Sequence, residues 1–202
     1  MNLCIHLFLY HRLHSCMKSY LVLDLDDTCF NLRDVLYQSL ARQTGCDIHW
    51  KNWDQYFLPN IFPCTADEMF SQWISDQVLE NCTLEPQLHE VLTYAKQLGL
   101  NVVALTARGW HPDGYALTCQ FIERHNLSFD EIHVIDHSIT KAAYMQKHFK
   151  HITAFVDDHA DHFRNAQHIG INSFLVNRPW NKHYDIPTHL RLDSIGDLLK
   201  HL

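Results

Sequence analysis

Three aspartates in the stretch YLVLDLDDTCF, residues 20–30, are of a type and spacing that could do chemistry. Asp24, Asp26 and Asp27 follow an apolar segment, Tyr20 to Leu23, that has the length and composition of a buried strand. Carboxylates packed so closely repel one another unless a cation, a proton or backbone N–H groups offset their charge. The stretch therefore predicts a metal site or a catalytic site where a strand ends.

Polar residues also follow later strand-like segments, in types that suit a phosphate site. They are Thr106 and Arg108 in NVVALTARG, Lys141 near the start of the helix-like SITKAAYMQKHF, and Asp157, Asp158 and Asp161 in VDDHAD. Carboxylates bind hard cations, hydroxyl and ammonium groups hold phosphate oxygens, and a further carboxylate can act as a nucleophile. Taken singly, Thr106 could be an ordinary strand-end hydroxyl, Lys141 a solvated helix residue, and Arg108 a surface or structural ion-pair residue. Their order along the chain favours a shared site.

The elements that must position these residues alternate between strand and helix, which is typical of a parallel sheet covered on both faces. We predict five strands, in LVLDL, NVVALTARG, EIHVID, HITAFVDD and INSFLVNR, with helices between them and a closing helix in LDSIGDLLKHL. In such sheets function gathers at the carboxyl ends of the strands. The predicted fold class is therefore α/β, a Rossmann-like doubly wound parallel sheet.

Residues 31–83 lack strong strand alternation, and we predict that they form a small helical cap inserted after the first strand. Helices are expected in NLRDVLYQSLARQTG and TADEMFSQWISDQVLENC, the second opened by Thr65 and Glu68 in capping-box spacing. Between them lie Trp50, Trp53, Tyr56 and Phe57, which could stack on a nucleotide base or could only pack the insertion onto the core. Residues 17–30 and 84–202 then form the core, and residues 1–16 an N-terminal appendage.

The amino-acid composition indicates which binding partners and which cellular location to expect. The chain has 202 residues, 47% of them hydrophobic, which suits one domain with an insertion, and its formal charge of −7 makes duplex nucleic acid an unexpected partner. Seven cysteines without a CxxC pair predict reduced thiols and a cytoplasmic location. The N-terminal apolar run from Leu3 to Tyr10 is broken by His6 and is too short to span a bilayer, so no membrane association is expected. The oligomeric state is left open.

In this order, the motifs resemble those of the haloacid dehalogenase superfamily of aspartyl-phosphate hydrolases. The stretch DLDDT matches its first motif, the threonine of ALTAR its second, Lys141 its third and VDDHAD its acidic fourth. The resemblance covers the core from about Tyr20 to Arg178 and leaves the insertion unmatched. Within the superfamily, LTARG, the paired aspartates and VNRPWN look most like 5′(3′)-deoxyribonucleotidases and polynucleotide 3′-phosphatases.

The resemblance implies a Mg²⁺-dependent phosphomonoester hydrolase acting on a nucleotide or another small phosphorylated metabolite. Asp24 would be the nucleophile that forms an aspartyl phosphate, and Asp26 the general acid and base. The other implied roles are phosphate binding by Thr106 and Lys141, Mg²⁺ binding by Asp24, the carbonyl of Asp26, Asp158 and Asp157, and contacts with the rest of the substrate by Thr28, Arg108 and Arg178. Which of Asp157 and Asp158 is the direct metal ligand stays open.

Two other functional classes remain open: a phosphoryl-transfer mutase with the same motifs, and a non-catalytic phosphate-binding module. A calcium loop is excluded, because Cys29 and Val35 stand where an EF-hand requires glycine and glutamate. The sequence has neither GxGxxG nor a P-loop. The pairs His148/His151 and His159/His162 have zinc-compatible spacing, but without matching cysteines we expect them on a solvated face.

Overall fold

A computed structural model describes residues 18–202 of the chain, so the predicted appendage, residues 1–16, lies outside the described residues. Six parallel strands form one sheet in the order β5-β4-β1-β6-β7-β8. Their bounds are β1 Tyr20–Leu23, β4 Asn101–Thr106, β5 Glu131–Val134, β6 Ile152–Asp157, β7 Ser173–Val176 and β8 Arg191–Leu192. The first strand thus lies at the centre, between β4 and β6.

Helices cover both faces of this sheet, and the alternation of side chains along each strand explains why. Leu21 and Leu23 point into one hydrophobic cluster, whereas Val22 between them points into another. The first cluster includes side chains of α3, Leu88–Gln97, and α4, Gly114–Arg124; the second includes side chains of α5, Lys141–His148, and α6, Ala160–His168. The predicted doubly wound α/β fold is confirmed.

The five predicted strands are all present, but β8 was missed. With only two residues, Arg191 and Leu192, it is too short to show alternation. The closing segment is a 3₁₀-helix, Ile195–Lys200, where an α-helix was predicted. Short 3₁₀-helices also occupy Pro179–Asn181 and Thr188–Leu190.

The inserted segment begins and ends at a short antiparallel pair, β2 Phe30–Asn31 and β3 Thr83–Leu84. Between these strands lie α1, Arg33–Thr44, and α2, Ala66–Ser75, with 3₁₀-helices at Trp50–Asn52 and Leu58–Asn60. The predicted capping box is confirmed: the Thr65 side chain accepts from the Glu68 N–H, and the Glu68 carboxylate accepts from the Thr65 N–H. We call residues 32–82 the cap.

Two further predictions concerned membrane association and the state of the cysteines. Across residues 18–202, no helix is long and apolar enough to cross a membrane. The five cysteines in this range, at positions 29, 46, 64, 82 and 119, are free thiols.

Candidate active site

The carboxyl ends of three adjacent strands bring the predicted site residues together. Asp24 directly follows β1, Thr106 is the last residue of β4, and Asp157 is the last residue of β6. The Asp24 N–H donates to the Val156 carbonyl over 2.9 Å, which continues the parallel pairing of β1 and β6 by one residue. The sheet register therefore fixes the position of Asp24 between its neighbours.

Lys141 joins two of these carboxylates. As the first residue of α5, it extends its Nζ to Asp24 Oδ1 and, over 2.8 Å, to Asp157 Oδ2. Its side chain is buried, and burial alone would lower its pKa, but Asp157 and Asp24 outweigh burial and raise the pKa of Lys141. The ammonium group is therefore charged at neutral pH and lies between the two acids.

Asp158 adds a third buried carboxylate. It accepts a hydrogen bond from Trp180 Nε1 over 2.8 Å, and Thr28 Oγ1 lies 3.5 Å from its other oxygen. Asp24, Asp157 and Asp158 can each present one oxygen such that all three lie within 4.8 Å of one another. Three carboxylate oxygens at this spacing suit a hard cation such as Mg²⁺ or Mn²⁺. The donor set therefore fits the predicted metal.

The protonation of the three acids differs because their hydrogen-bond donors differ. Burial raises the pKa of Asp24 to about 7, and burial together with the neighbouring Asp157 and Asp24 holds the pKa of Asp158 well above its usual range. For Asp157, burial is outweighed by Lys141 and His162, which lower its pKa. Asp157 also accepts from the His159 N–H over 2.7 Å. Asp157 thus has enough donors to keep it ionised, whereas Asp24 and Asp158 have too little positive charge nearby to offset the effect of burial on their pKa.

Asp26 lies beside this group and is paired with Arg108. The guanidinium Nε is 3.0 Å from Asp26 Oδ2, Nη2 is 2.5 Å from Oδ1, and Thr106 Oγ1 lies 3.4 Å from Oδ2. Nη1 of Arg108 donates to Thr118 Oγ1 over 3.0 Å. In this arrangement the Asp26 carboxylate only accepts, whereas an acid role needs a proton on it. The acid–base role of Asp26 therefore stays a prediction.

The three residues predicted to contact the rest of the substrate do not line the cavity described below. Arg108 and Thr28 are fully buried, and their polar atoms contact Asp26 and Asp158. Arg178 is nearly as buried; it donates to the Asp27 carbonyl and to Glu85 Oε1, both over 2.8 Å. Their substrate-binding role also stays a prediction, and the structure gives each side chain an internal partner instead.

Arg178 belongs to a second buried charge cluster, which we call the linker cluster: Asp27, Arg33, Glu85 and Arg178. The Arg33 Nη1 lies 3.2 Å from Asp27 Oδ1 and 2.5 Å from Glu85 Oε1. Asp27, whose φ of 57° is left-handed, also accepts from the Leu32 N–H over 3.1 Å. The cluster ties the two chain crossings into the cap to the strand end after β7. It was not predicted, because Glu85 and Arg33 carry no motif.

A cavity of about 500 Å³ opens above the acids, between the core and the cap. Its polar end contains Asp24, Asp26, Asp158, Thr106 and Lys141. The cap contributes apolar and aromatic side chains, among them Trp53, Tyr56, Phe57, Met69, Phe70 and Trp73. Volumes of this order are usual for small-molecule sites.

The four aromatic residues of the cap loop, Trp50, Trp53, Tyr56 and Phe57, fall into two groups. Tyr56 and Phe57 are half-exposed, at 51% and 50%, and line the cavity. Trp53 also lines it but is buried, packs on Trp180 at 6.1 Å between ring centroids, and donates to the Ile48 carbonyl. Trp50 lies away from the cavity, under Arg33. Two of the four rings, Tyr56 and Phe57, therefore both line the cavity and keep exposed surface.

The expectation of a solvated face is wrong for His159 and His162. Both line the cavity, their rings stack at 4.4 Å, and His162 Nδ1 lies 3.1 Å from Asp157 Oδ2. Burial lowers the pKa of His159 to about 4, so it is neutral at neutral pH. His148 and His151 are exposed, as expected. The one-turn spacing was visible in the sequence, but the pairing with Asp157 was not.

No protein-family model and no curated protein matches the sequence. Solved structures do match its fold. A predicted phosphoglycolate phosphatase from Haemophilus somnus aligns with a TM-score of 0.63 at 19% identity over 93% of this chain and 99% of that one. CbbY from Rhodobacter sphaeroides, solved with phosphate, gives 0.60 at 13% identity over 90% and 96%.

A haloacid dehalogenase superfamily hydrolase of subfamily IA from Geobacter sulfurreducens gives a TM-score of 0.58 at 15% identity over 92% of this chain and 96% of that one. These alignments span nearly the whole of each partner, including the cap. The resemblance read from the four motifs therefore holds for the architecture: this chain has the fold of the haloacid dehalogenase superfamily hydrolases.

Proposed function

We propose that the protein is a Mg²⁺-dependent phosphomonoester hydrolase that acts through an aspartyl phosphate on Asp24. The observation that carries the proposal is the position of Asp24: buried at the end of the central strand, in contact with Lys141, within reach of two further carboxylates, and open to a cavity large enough for a small ester. The fold shared with superfamily hydrolases and phosphatases supports it.

Each step of the proposed reaction is assigned to particular residues of this chain. Asp24 attacks phosphorus, so that its bond to the phosphoryl group forms as the ester P–O bond breaks, and water later cleaves the acyl phosphate to restore Asp24. Lys141 and Thr106 hold the transferring oxygens, where negative charge develops. Asp26 gives a proton to the departing alkoxide and takes one from the attacking water. A Mg²⁺ held by Asp24, the Asp26 carbonyl, Asp158 and Asp157 would screen the charge of the phosphate.

Asp26 can act only if its pairing with Arg108 loosens. We infer that substrate binding shifts Asp26 towards the ester oxygen, since the carboxylate is already partly open to the cavity. Nucleotides are the substrate class favoured by the sequence resemblance, and a 5′-nucleotidase activity is the finer form of the proposal. The half-exposed rings of Tyr56 and Phe57 support it as stacking surfaces.

The test is phosphate release from a panel of nucleoside monophosphates, sugar phosphates and aryl phosphates, with Mg²⁺ and with EDTA. We expect Mg²⁺-dependent release from at least part of the panel, together with acid-stable, hydroxylamine-sensitive phosphate on the protein after rapid quenching. Transfer of the phosphate to a second hydroxyl without release would instead identify a mutase. Binding of phosphate esters without turnover would identify a non-catalytic module and overturn the proposal.

A further inference from the structure

The two ends of the cavity differ in charge. At the floor, Asp24, Asp26 and Asp158 face Lys141 and Thr106. The opposite wall, formed by the cap, contains no charged side chain among the described residues that line it, and its polar side-chain atoms are the Tyr56 hydroxyl and the indole nitrogens of Trp53 and Trp73. A ligand that fills the cavity must therefore place its polar group at the floor and an uncharged group against the wall.

The wall includes aromatic side chains from the cap and from the core. The neighbouring residues Tyr56 and Phe57 each keep half of their surface exposed. Phe70 of α2 stacks on Trp110, in the loop after β4, at 5.1 Å between ring centroids and 17° between planes. Aromatic faces of this kind favour a flat ring as partner.

Positive charge is missing from the same wall. Within residues 18–202, Lys141 is the only lysine or arginine that lines the cavity, and it is engaged by Asp24 and Asp157. Of the three lining histidines, His162 contacts Asp157 and the His159 ring nitrogen accepts the Asp161 N–H, whereas His137 is exposed and lies 3.7 Å from Asp136. A second anionic group on a substrate would find no free lysine or arginine in the cavity lining.

We propose that the substrate is a phosphate monoester whose alcohol part is a flat, uncharged ring system, and that the cavity rejects esters carrying a carboxylate or a second phosphate. The inference rests on the proposed function, which it makes specific. Nucleosides fall within this class. The carboxylate-bearing substrate that names the structurally similar Haemophilus somnus protein falls outside it.

The competing explanation is that the rings only hold the cap on the core. Two contacts fit it: Tyr56 meets the His159 ring at 3.9 Å, and Phe70 meets Trp110. On that explanation, removing a ring lowers the melting temperature and reduces turnover of every ester equally. A role in substrate selection instead changes the ratio between esters.

The experiment compares kcat/KM for 2-(1-naphthyl)ethyl phosphate and for 2-phosphoglycolate, both phosphate esters of alkyl alcohols, with the full chain and Mg²⁺. We expect the naphthyl ester to be preferred by a factor on the order of 100 or more, because the carboxylate of the glycolate would be desolvated without a partner. Equal values, or a preference for the glycolate, overturn the inference while leaving the phosphatase proposal intact. Absence of turnover of any ester in the wider panel overturns both.

Two substitutions at Phe57 sharpen the comparison. Phe57→Ala should raise KM for the naphthyl ester about ten-fold and leave KM for the glycolate unchanged. Phe57→Arg adds the missing cation and should lower the naphthyl-to-glycolate ratio by at least about ten-fold. The matched control is Tyr115→Ala, which removes a ring of similar exposure, 59%, outside the cavity and should leave both values unchanged. Parallel losses on both esters in Phe57→Ala would favour the packing explanation and overturn the inference.

Discussion

Two buried clusters of charged side chains lie at the carboxyl edge of the sheet. They differ in the balance between acidic and basic groups. The first, which we call the catalytic cluster because it contains the proposed nucleophile, sets the carboxylates of Asp24, Asp157 and Asp158 against the single ammonium of Lys141. The linker cluster sets the carboxylates of Asp27 and Glu85 against the guanidinium groups of Arg33 and Arg178. Only the first opens onto the cavity through most of its members.

The difference in balance separates a site that needs a ligand from a site that is complete. In the linker cluster each arginine has an acidic partner, so the charges offset one another without help. In the catalytic cluster the excess of carboxylates must be met by protons or by a cation, and burial together with Asp157 and Asp24 holds the pKa of Asp158 well above its usual range. Burial also raises the pKa of Asp27 in the linker cluster, to about 6, but there Arg33 and Arg178 act against it. Burial of acids next to one another therefore indicates function only where the charges do not balance.

The strongest test of this contrast is Asp24→Asn. We expect the loss of turnover to exceed about 10⁴-fold, because the nucleophile is removed, and we expect no loss of melting temperature, because the substitution removes one charge from an excess of like charges. Phosphate release and thermal unfolding measure the two effects. Asp67→Asn, at an exposed acid of the cap, is the control of equal charge change. Near-normal Mg²⁺-dependent activity in Asp24→Asn would disprove the assignment of the nucleophile.

Asp26→Asn should slow turnover by about 10²–10⁴-fold, the usual contribution of a general acid or base. Both formation and hydrolysis of the aspartyl phosphate should be affected, and rapid-quench kinetics separate them. Leaving-group dependence provides the control, because an ester with an acidic alcohol needs no proton and should lose least. A uniform loss across leaving groups would instead assign Asp26 to holding Arg108 in place.

In the linker cluster, by contrast, removing a charge should lower the stability of the protein. Glu85→Gln leaves two buried guanidinium groups with one carboxylate fewer, and we expect the free energy of unfolding to fall by about 3–5 kcal/mol, the usual cost of breaking a buried ion pair. Arg42→Gln, which breaks the pair of Arg42 with Asp76 on the surface, should cost at most about 1 kcal/mol. Denaturant unfolding compares the two variants. Equal small losses would show that the linker cluster does not hold the cap crossings.

Much of this site was predictable because it depends on local order along the chain. A strand followed by DLDDT, a strand ending in Thr106 and a strand ending in Asp157 must meet at one edge once the sheet is parallel. The strands of the central sheet were predicted except β8, whose two residues show no periodicity. Local pattern therefore fixed the elements and the polar end of the cavity.

The parts that were missed depend on distant partners or on the path of a turn. Arg178 and Glu85 are 93 positions apart in the sequence, and nothing near either residue indicates the pairing. Thr28 was predicted to contact the substrate, but the chain turns at Asp27, and the Leu25 carbonyl accepts the N–H groups of residues 28–30. Likewise, His162 is seen to face Asp157 only once α6 is docked on β6.

The smallest expected effect concerns pH and Mg²⁺ together, in the catalytic cluster alone. The pKa of Asp24 is about 7 in the folded protein against an ordinary value of 3.8. Between these values the folded protein binds a proton that the unfolded chain lacks, so this group stabilises the metal-free protein below about pH 4–5 relative to pH 8 and loses that contribution as the pH rises through 7. His159, with a lowered pKa of about 4, acts in the opposite direction over the acidic part of the range.

Comparing the wild type with Asp24→Asn cancels His159 and every other shared group. At pH 4, near the ordinary value of 3.8, Asp24 is protonated in the folded protein and about half protonated in the unfolded chain, so the two proteins should melt at similar temperatures. At pH 8 without metal, the wild type carries the unscreened carboxylate and should melt below Asp24→Asn; about 1 kcal/mol corresponds to about 2–4 °C for a chain of this size. Saturating Mg²⁺ should stabilise the wild type at pH 8, by about 2.7 kcal/mol at a hundred times Kd, and reverse the order. An order that is independent of both pH and Mg²⁺ would mean that the catalytic cluster is as balanced as the linker cluster, and that its excess of carboxylates is not what draws a cation to it.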